Sequence, residues 1–407
     1  MKNILIGQSG GPSVAINSSL AGVIKKGTQS VEIGTVYGAR NGITGVIDDN
    51  IVDLSTIASD DKIKILKQTP AMALGSCRYK LPPFQESSRQ IYMQIEETLK
   101  KYDIGCFFYI GGNDSMDTVA KLDCFFKERK LDIKAIGIPK TIDNDLPVTD
   151  HTPGFGSSAK YLFNTVSEII CDSEIYPVKN VVIVEIMGRS AGWLTLAAGL
   201  PKILGGDSPQ IIALPEVSFS QEEFISTIKK ELTTKNTVVA VVSEGIKYAS
   251  GEYVGMATKN GETDIFGHSY LSGVGKYLEM LVKDNIGCKV RSIELNVMQR
   301  CSSHLAALAD IDEAFEIGVK AVEAALSGQS GVTLCFNRIS DEPYEYSITT
   351  TDVNNIANKE KNVPPSWFDY NDQKVQKEIA NYLLPLIKGN VIPVVNEQTG
   401  LPLYLKI

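Results

Sequence analysis

The sequence has few of the residues that disulfide-bonded domains and zinc centres need. It contains 3 histidines and 7 cysteines among 407 residues. The cysteines are odd in number and include no Cys-x-x-Cys pair, which argues against a disulfide framework and against a zinc site. Free thiols are typical of a reducing compartment, so we expect a cytoplasmic protein. The shortage of histidine favours carboxylates as the source of any general base.

Excess positive charge and long apolar runs are also missing. The chain has 40 Lys and Arg against 48 Asp and Glu, a net charge of -8, so we expect no nucleic-acid partner. No run approaches the ~18 apolar residues of a membrane span, so no membrane association is expected. The first residues, 1–7, lack the apolar region of a signal peptide and predict a β-strand. An anionic substrate would therefore need a local basic pocket.

Short apolar runs alternate with helical patterns along the chain. Strands are predicted at residues 4–6, 104–110, 135–138, 181–186, 211–214, 237–242 and 289–295. Helices are predicted at residues 13–26, 115–128, 157–171, 190–200, 221–232, 273–283, 303–326 and 372–387. This alternation predicts an α/β fold with mainly parallel, doubly wound sheets, and the length predicts about two lobes. Residues 248–267 indicate an irregular insert.

Breaks in the pattern divide the chain. The segment 149–157 contains a proline and two glycines, and it separates an N-terminal lobe, residues 1–150, from a second lobe, residues 151–300. After residue 300 the chain is expected to rejoin the first lobe, over about 300–330. Residues 331–407 carry no motif that predicts a role, and we treat them as a C-terminal extension.

The hexapeptide Lys-Thr-Ile-Asp-Asn-Asp at residues 140–145 is the most informative segment. It follows the apolar run 135–139, which places its side chains at the carboxyl edge of a sheet, where open α/β sheets bind ligands. Lys140 can balance phosphate charge. One aspartate can take a proton from an attacking hydroxyl, and the other can help to hold a metal. The segment predicts transfer of a phosphoryl group.

Two glycine pairs occupy equivalent strand-to-helix turns, at Gly10-Gly11 and at Gly111-Gly112. Glycine lets the backbone approach a ligand closely, and a helix N-terminus presents free N–H groups to an anion. Asn113, Asp114 and Ser115 follow the second pair and would also serve as helix caps. The repetition of the turn beside an aspartate-rich strand end favours a phosphate site.

Other strand ends carry groups that suit a sugar phosphate. Arg189 follows the strand at 181–186 and can clamp a phosphate. Glu244 ends a further strand and can accept hydrogen bonds from sugar hydroxyls. Arg291 and Arg300 flank the last predicted strand, and either could bind a phosphate or form a surface ion pair.

Together and in this order, these residues resemble the phosphofructokinase family over residues 1 to about 330. The matching motifs are Gly10-Gly11, Gly111-Gly112-x-Asp114-Ser115, the string from Pro139 to Asp145, Met187-Gly188-Arg189, Glu244 and Gln299-Arg300. The resemblance implies two Rossmann-like lobes, one for the phosphoryl donor and one for the sugar phosphate, with the active site in the cleft between them. It also implies phosphoryl transfer to the 1-hydroxyl of fructose 6-phosphate, giving fructose 1,6-bisphosphate, with Mg²⁺ as cofactor.

The resemblance assigns roles by position. Asp143 resembles the general base that deprotonates the sugar hydroxyl. Substrate contacts are implied for Thr141, Met187, Gly188, Arg189, Glu244, Arg291 and Arg300. Donor contacts are implied for Gly11, Arg78, Gly112 and Ser115, and metal contacts for Asn113, Asp143 and Asp145. Because Arg291 stands where the family places an arginine that reaches a neighbouring subunit's site, a homodimer or homotetramer is expected.

Asp114 and Lys140 stand where ATP-using members of the family have glycines, and the pair resembles the pyrophosphate-dependent branch. A carboxylate at position 114 would crowd and repel the α-phosphate of a nucleotide, while Lys140 can stabilise a phosphate leaving group. We therefore expect pyrophosphate as donor and a reaction that runs both ways. An ATP-dependent 6-phosphofructokinase of the same fold and a non-catalytic regulatory subunit are the alternatives.

Three positions depart from the family pattern. Asn113 stands where the family has a metal-linked aspartate, and an amide is the weaker ligand for magnesium. Val297 stands where a histidine or tyrosine contacts the sugar phosphate, which leaves sugars such as sedoheptulose 7-phosphate open. Asn180 replaces an arginine that reaches the neighbouring subunit, and the adjacent Lys179 could substitute for it.

Overall fold

The computed structural model describes residues 2–255 and 273–407, so residues 256–267 of the predicted insert lie outside the described residues. The strands are β1 (Lys2–Gln8), β2 (Ile33–Ala39), β3 (Ile51–Asp53), β4 (Ile104–Gly111), β5 (Lys134–Pro139), β6 (Asn180–Ile186), β7 (Ile211–Ala213), β8 (Thr237–Ser243), β9 (Lys289–Glu294), β10 (Val332–Asp341) and β11 (Tyr344–Asp352). The α-helices are α1 (Ile16–Gln29), α2 (Gly42–Ile47), α3 (Asp60–Gln68), α4 (Arg89–Lys101), α5 (Asn113–Glu128), α6 (Phe155–Ser173), α7 (Trp193–Ala198), α8 (Leu200–Ile203), α9 (Gln221–Glu231), α10 (Val274–Ile286), α11 (Met298–Cys301), α12 (Leu308–Leu326) and α13 (Gln373–Leu386).

The strands form two sheets, and we call each sheet with its helices a lobe. The first lobe has seven strands in the order β11-β10-β5-β4-β1-β2-β3, and the second has four in the order β7-β8-β6-β9. Pairing is parallel throughout the second sheet and across the centre of the first, where only the edge pairs β2–β3 and β10–β11 are antiparallel among the described strands. The predicted α/β fold with mainly parallel sheets is confirmed.

The central strands of each sheet are buried on both faces, which explains their near-continuous apolar runs. In β1, Leu5 packs into one apolar cluster while its neighbours Ile4 and Ile6 pack into another. In β6, Val181 and Val182 likewise enter separate clusters. Each fully buried side chain of this size contributes roughly 1.5–3 kcal/mol, so the strands that position the site are among the most firmly held elements.

The structure adds elements that the sequence prediction lacks, among them β2, β3, β10, β11, α2, α3, α4 and α11. It also divides the helix predicted at 303–326 into a short 3-10 turn, Ser303–Leu305, and α12, because Ala306 adopts an extended conformation with ψ of 142°. Helix α12 packs on α1 at small residues, where a Cβ on Gly22 would lie 2.1 Å from the Phe315 carbonyl oxygen.

The segment after residue 331 contacts both lobes. Strand β10 pairs with β5 and extends the first sheet. Helix α13 packs against α6 and α8, and its residues Ile379, Leu383 and Leu386 are buried in an apolar cluster of the second lobe. Within the described part of the chain, no helix combines the length and apolarity needed to cross a bilayer.

Candidate active site

The carboxyl ends of strands from both sheets face one cleft with a volume of about 970 Å³. In an open α/β sheet this edge is the usual position of a ligand site. The cleft brings together most of the sequence-predicted site residues: Gly11, Arg78, Gly112, Asn113, Asp114, Ser115, Lys140, Thr141, Asp143, Asp145, Met187, Arg189, Glu244 and Arg300.

Lys140 lies where the two glycine turns meet. Its backbone N–H donates to the Gly111 carbonyl oxygen at 2.9 Å, and its ammonium donates to the Gly11 carbonyl oxygen. Gly10 has a φ of +79°, and a Cβ there would lie 3.3 Å from the Lys140 Nζ. Burial lowers the pKa of Lys140 to about 8, although Asp143 and Asp145 oppose that shift. A cation is thus held against the turns that suit phosphate binding.

Asp143 and Asp145 both line the cleft, and Asn144 between them turns away. Asn144 has a φ of +53°, and its amide donates to the Tyr382 hydroxyl at 2.8 Å. Burial raises the pKa of Asp143 to about 6, with the Glu244 charge adding to it. Burial and the Asp143 charge raise the pKa of Asp145 to about 7. Two desolvated carboxylates that repel each other suit proton transfer and cation binding.

The second lobe contributes the loop after β6 and the end of β8. Glu244 Oε1 accepts a hydrogen bond from the Gly188 N–H at 3.2 Å, and burial raises the Glu244 pKa to about 7. Arg189 Nε is buried without a hydrogen-bond partner among the described residues. A Cβ on Gly245 would lie 1.9 Å from the Arg189 carbonyl oxygen, so glycine is needed there. An unpaired buried guanidinium N–H beside a cleft suits an anionic ligand.

Arg300, at the end of α11, reaches across to the first lobe. A Cβ on Gly11 would lie 3.4 Å from Arg300 Nη1, so this guanidinium lies directly against the first glycine turn. The neighbouring Gln299 is buried and accepts a hydrogen bond from the Met187 N–H at 3.0 Å. One short helix therefore supports the second-lobe loop and supplies a cation to the middle of the cleft.

The family model described as Phosphofructokinase matches residues 3–325. The chain belongs to the phosphofructokinase family. It is 37% identical to a pyrophosphate–fructose 6-phosphate 1-phosphotransferase of Halomonas elongata, over all of this chain and 96% of the relative. It is 40% identical to the enzyme of the same name from Xanthomonas campestris, again over all of this chain and 96% of the relative. The crystal structure of a pyrophosphate-dependent phosphofructokinase from Nitrosospira multiformis matches with a TM-score of 0.86 and 34% identity, covering 100% of this chain and 96% of that one.

These full-length matches extend through residues 331–407, beyond the range of the sequence motifs. The cleft of this phosphofructokinase also contains Asn358 and Glu360 from that segment, which no motif predicted. Tyr79 and Lys80 of the first lobe line the cleft as well, and no motif predicted them either. Because Asn358 and Glu360 lie in a polar loop far from the motifs in sequence, only the folded chain brings them to the cleft.

Asn113 and Asp114 differ in their surroundings although both line the cleft. The side-chain oxygen of Asn113, Oδ1, accepts a hydrogen bond from the Asn358 N–H, and the Asn113 NH₂ group donates to the backbone carbonyl oxygen of Lys359. Asp114, in the first turn of α5, is exposed. The metal contact expected of Asn113 stays a prediction, and its amide already has two backbone partners.

Gly188, Arg291 and Val297 are among the residues highlighted by the sequence that do not line the cleft. Gly188 contributes through its backbone, since its N–H holds Glu244. Arg291 is exposed on β9, and its expected contact with a neighbouring subunit stays a prediction. Val297 is 47% exposed, and the loss of a sugar-phosphate contact at this position stays a prediction.

The cleft supplies two neighbouring aspartates, Asp143 and Asp145, as candidate ligands for a cation. Among residues 2–255 and 273–407, no group of three or more His, Cys, Asp or Glu side chains is arranged to hold a metal ion. The paired carboxylates of Asp143 and Asp145 nevertheless fit a hard divalent cation, because Mg²⁺ is commonly held by one or two carboxylates with substrate phosphates and water.

Proposed function

We propose that this phosphofructokinase transfers a phosphoryl group from pyrophosphate to the 1-hydroxyl of fructose 6-phosphate, and that it works in both directions. The observation that carries the proposal is the position of Lys140, whose ammonium is held against the Gly10-Gly11 turn in a cleft that Asp114 also lines. The names of its full-length relatives support the same donor and acceptor.

The first lobe suits pyrophosphate better than a nucleotide. The phosphates would be contacted by the turns at Gly11 and Gly112 and by the side chains of Ser115 and Arg78. The N-terminus of α5 would favour the negative charge of the phosphates. Asp114 adds a carboxylate in the first turn of that helix, which would repel the α-phosphate of a nucleoside triphosphate. Lys140 balances the charge of the departing phosphate.

The chemical step needs one base and one charge-balanced leaving group. Asp143 takes the proton of the sugar 1-hydroxyl, and that oxygen forms a bond to the nearer phosphorus of pyrophosphate. The bond from this phosphorus to the bridging oxygen breaks, and its electron pair leaves with inorganic phosphate. Lys140 stabilises the leaving group. In the reverse direction the protonated Asp143 returns its proton to the sugar oxygen.

Mg²⁺ is the cation that we propose for this site, held by Asp143 and Asp145 with phosphate oxygens. It would neutralise charge on the transferring phosphoryl group. A contribution from Asn113 would be the weaker one, since an amide carries no charge.

The second lobe would bind the sugar phosphate. Arg189 and Arg300 offer guanidinium groups for the 6-phosphate, and Glu244 accepts from sugar hydroxyls. Thr141 and the backbone at Met187-Gly188 would complete the contacts. Arg291 would act on the site of a neighbouring copy, so we propose a homodimer or homotetramer in the cytoplasm, without nucleic-acid or membrane partners.

A donor assay tests the proposal. Formation of fructose 1,6-bisphosphate is measured with pyrophosphate and separately with ATP, and activity is expected with pyrophosphate. Activity with ATP alone would identify the ATP-dependent alternative. Binding of fructose 6-phosphate without turnover of either donor would identify a regulatory subunit.

A variant pair tests the donor assignment to Asp114 and Lys140. The double change Asp114→Gly and Lys140→Gly restores the glycines of the ATP-using pattern. We expect it to lose pyrophosphate use and gain ATP use. An unchanged donor preference would contradict the account based on these two side chains.

A further inference from the structure

Residues 358–361, which we call the strap, are tied to the N-terminus of α5 by the Asn113 side chain. The Asn358 N–H donates to the side-chain oxygen of Asn113, Oδ1, and the Asn113 NH₂ group donates to the backbone carbonyl oxygen of Lys359. The Asn358 amide donates in turn to Asp117 Oδ1 at 3.0 Å. One helix end therefore holds the strap by three hydrogen bonds, two of them to its backbone.

The other end of the strap is held by hydrogen bonds of Lys361. The Lys361 N–H donates to the Asp145 carbonyl oxygen at 2.7 Å, and its carbonyl oxygen accepts from Trp193 Nε1 at 2.9 Å. Its ammonium donates to the carbonyl oxygens of Thr149 and Asp150 at 3.0 and 2.8 Å. The strap thus runs from the donor-side helix to the loop after β5 and to the second lobe.

The strap forms part of the cleft wall. Asn358 and Glu360 both line the cleft, as do Asn113 and Asp145, to which the two ends of the strap are bonded. Asn358 holds a φ of +59°, a conformation that asparagine tolerates better than most residues.

The strap borders the part of the cleft that is assigned to the phosphoryl donor. Asn113, to which the strap is bonded, directly follows Gly112, and the Gly111-Gly112 turn is one of the two turns assigned to the phosphates. Because Asn358 and Glu360 line the same cleft as Gly112 and Asn113, a ligand longer than two phosphates that extended past the start of α5 would meet the strap and the Glu360 carboxylate. The strap cannot swing away without breaking its bonds to Asn113.

We propose that the strap determines donor specificity by closing the donor side of the cleft behind a two-phosphate ligand, with Asn113 as the residue that holds it closed. Asn113 then acts as a positioning residue rather than mainly as a metal ligand. The inference rests on the proposed function for the identity of the donor. The strap is a second and partial barrier to nucleotides, which weakens their binding without preventing it once Asp114 and Lys140 are replaced.

Calorimetric binding of AMP-PNP, a non-transferable ATP analogue, tests this in the full chain. Asp114→Gly serves as the starting protein, because it removes the carboxylate that would repel the analogue. Adding Asn113→Ala breaks both backbone bonds to the strap, and each bond is modest, so we expect affinity for AMP-PNP to rise by about 5- to 100-fold. Asn355→Ala is the matched control, since Asn355 is exposed three positions before the strap and its side-chain amide donates to the nearby Thr351 Oγ1 at 3.0 Å.

Two further measurements keep the result decisive. Limited trypsin digestion should cut faster after Lys359 in Asn113→Ala than in the control. Asn358→Gly keeps the left-handed backbone but loses the side-chain bond to Asp117. It should raise the affinity for AMP-PNP by a smaller factor than Asn113→Ala does. If Asn113→Ala does not fold, Asn358→Gly takes its place in the test. Unchanged AMP-PNP affinity in the folded variants, or unchanged cleavage in Asn113→Ala, would overturn the inference. Because binding is measured without turnover, failure of pyrophosphate activity in the natural chain is a separate result.

Discussion

The Asn144 amide donates a hydrogen bond to the Tyr382 hydroxyl at 2.8 Å, and that hydroxyl donates to the Asp150 carbonyl oxygen at 2.6 Å. A residue of α13 thereby holds the loop that carries Asp143 and Asp145. The same loop is braced by Arg338, whose guanidinium bonds to Asp150. The segment after residue 331 therefore supports the loop that carries Asp143 and Asp145.

Replacing Tyr382 with phenylalanine should therefore affect stability and activity together. The change leaves the buried Asn144 amide without its partner, which costs about 1–3 kcal/mol of unfolding free energy. Urea unfolding and steady-state kinetics measure the two effects. Tyr404→Phe is the control, because Tyr404 is 51% exposed and should change neither. Full activity in Tyr382→Phe would contradict a supporting role.

Asp143→Asn should abolish most turnover without unfolding the chain. A general base typically contributes ~10²–10⁴ in rate, so kcat should fall by that factor. Asp132→Asn is the matched control, since Asp132 is exposed and pairs with Lys2 at 2.6 Å away from the cleft. A fall in kcat of less than about tenfold in Asp143→Asn, with Asp132→Asn unchanged, would assign the base to another group.

Gly10→Ala should displace the Lys140 ammonium. The new Cβ would lie 3.3 Å from Lys140 Nζ, and the residue would keep a φ near +79°, which costs a non-glycine residue about 1–2 kcal/mol. Gly251→Ala imposes the same backbone cost at φ +87° with no atom within 4 Å. Pyrophosphate kinetics should worsen only in Gly10→Ala, whereas thermal unfolding should shift in both. Equal kinetics in the two variants would rule out the steric effect on Lys140.

The pH dependence of kcat/KM should be bell-shaped in the direction that forms fructose 1,6-bisphosphate. Asp143 must be ionised to accept a proton, and its pKa is raised to about 6 by burial first and Glu244 second. Lys140 must be protonated, and burial lowers its pKa to about 8. The rate should rise with pH through about 6 and fall through about 8. After correction for the ionisation of pyrophosphate, Lys140→Met should lose the alkaline limb along with most of the activity.

Stability should decline with alkaline pH because of His151. This buried side chain lies 2.6 Å from Glu313 Oε2 and 2.8 Å from Asp150 Oδ2. Burial opposes its charge, but the two carboxylates outweigh burial and raise the His151 pKa to about 9 from an unfolded value of 6.5. The stabilisation is full below pH 6.5 and is lost as the pH rises through about 9, amounting to about 3 kcal/mol at most.

Urea unfolding at pH 6 and pH 9.5 measures this loss. His151→Gln should remove most of the pH dependence, whereas His304→Gln should not, because His304 is exposed. Equal pH dependence in the natural chain and in His151→Gln would contradict the role of the charged imidazole.

The sequence predicted the cleft better than its surroundings. The apolar runs of β4 and β5 end abruptly in glycine or charged residues, and that contrast locates strand ends without any tertiary information. Strand β10 was missed because only four of its ten residues are buried, and its second half alternates between exposed and partly buried residues without a continuous apolar run. Asn358 gave no local signal either, since its role depends on Asn113, 245 positions earlier in the chain.

The pKa of Asp143 depends on how the two lobes are arranged, because Glu244 of the second lobe lines the same cleft. The two carboxylates belong to different lobes, and both burial and the Glu244 charge raise the Asp143 pKa. Any separation of the lobes would hydrate Asp143 and remove its negative neighbour, so its proton affinity would fall. The proton affinity of Asp143, the proposed base, therefore depends on the two lobes lying together.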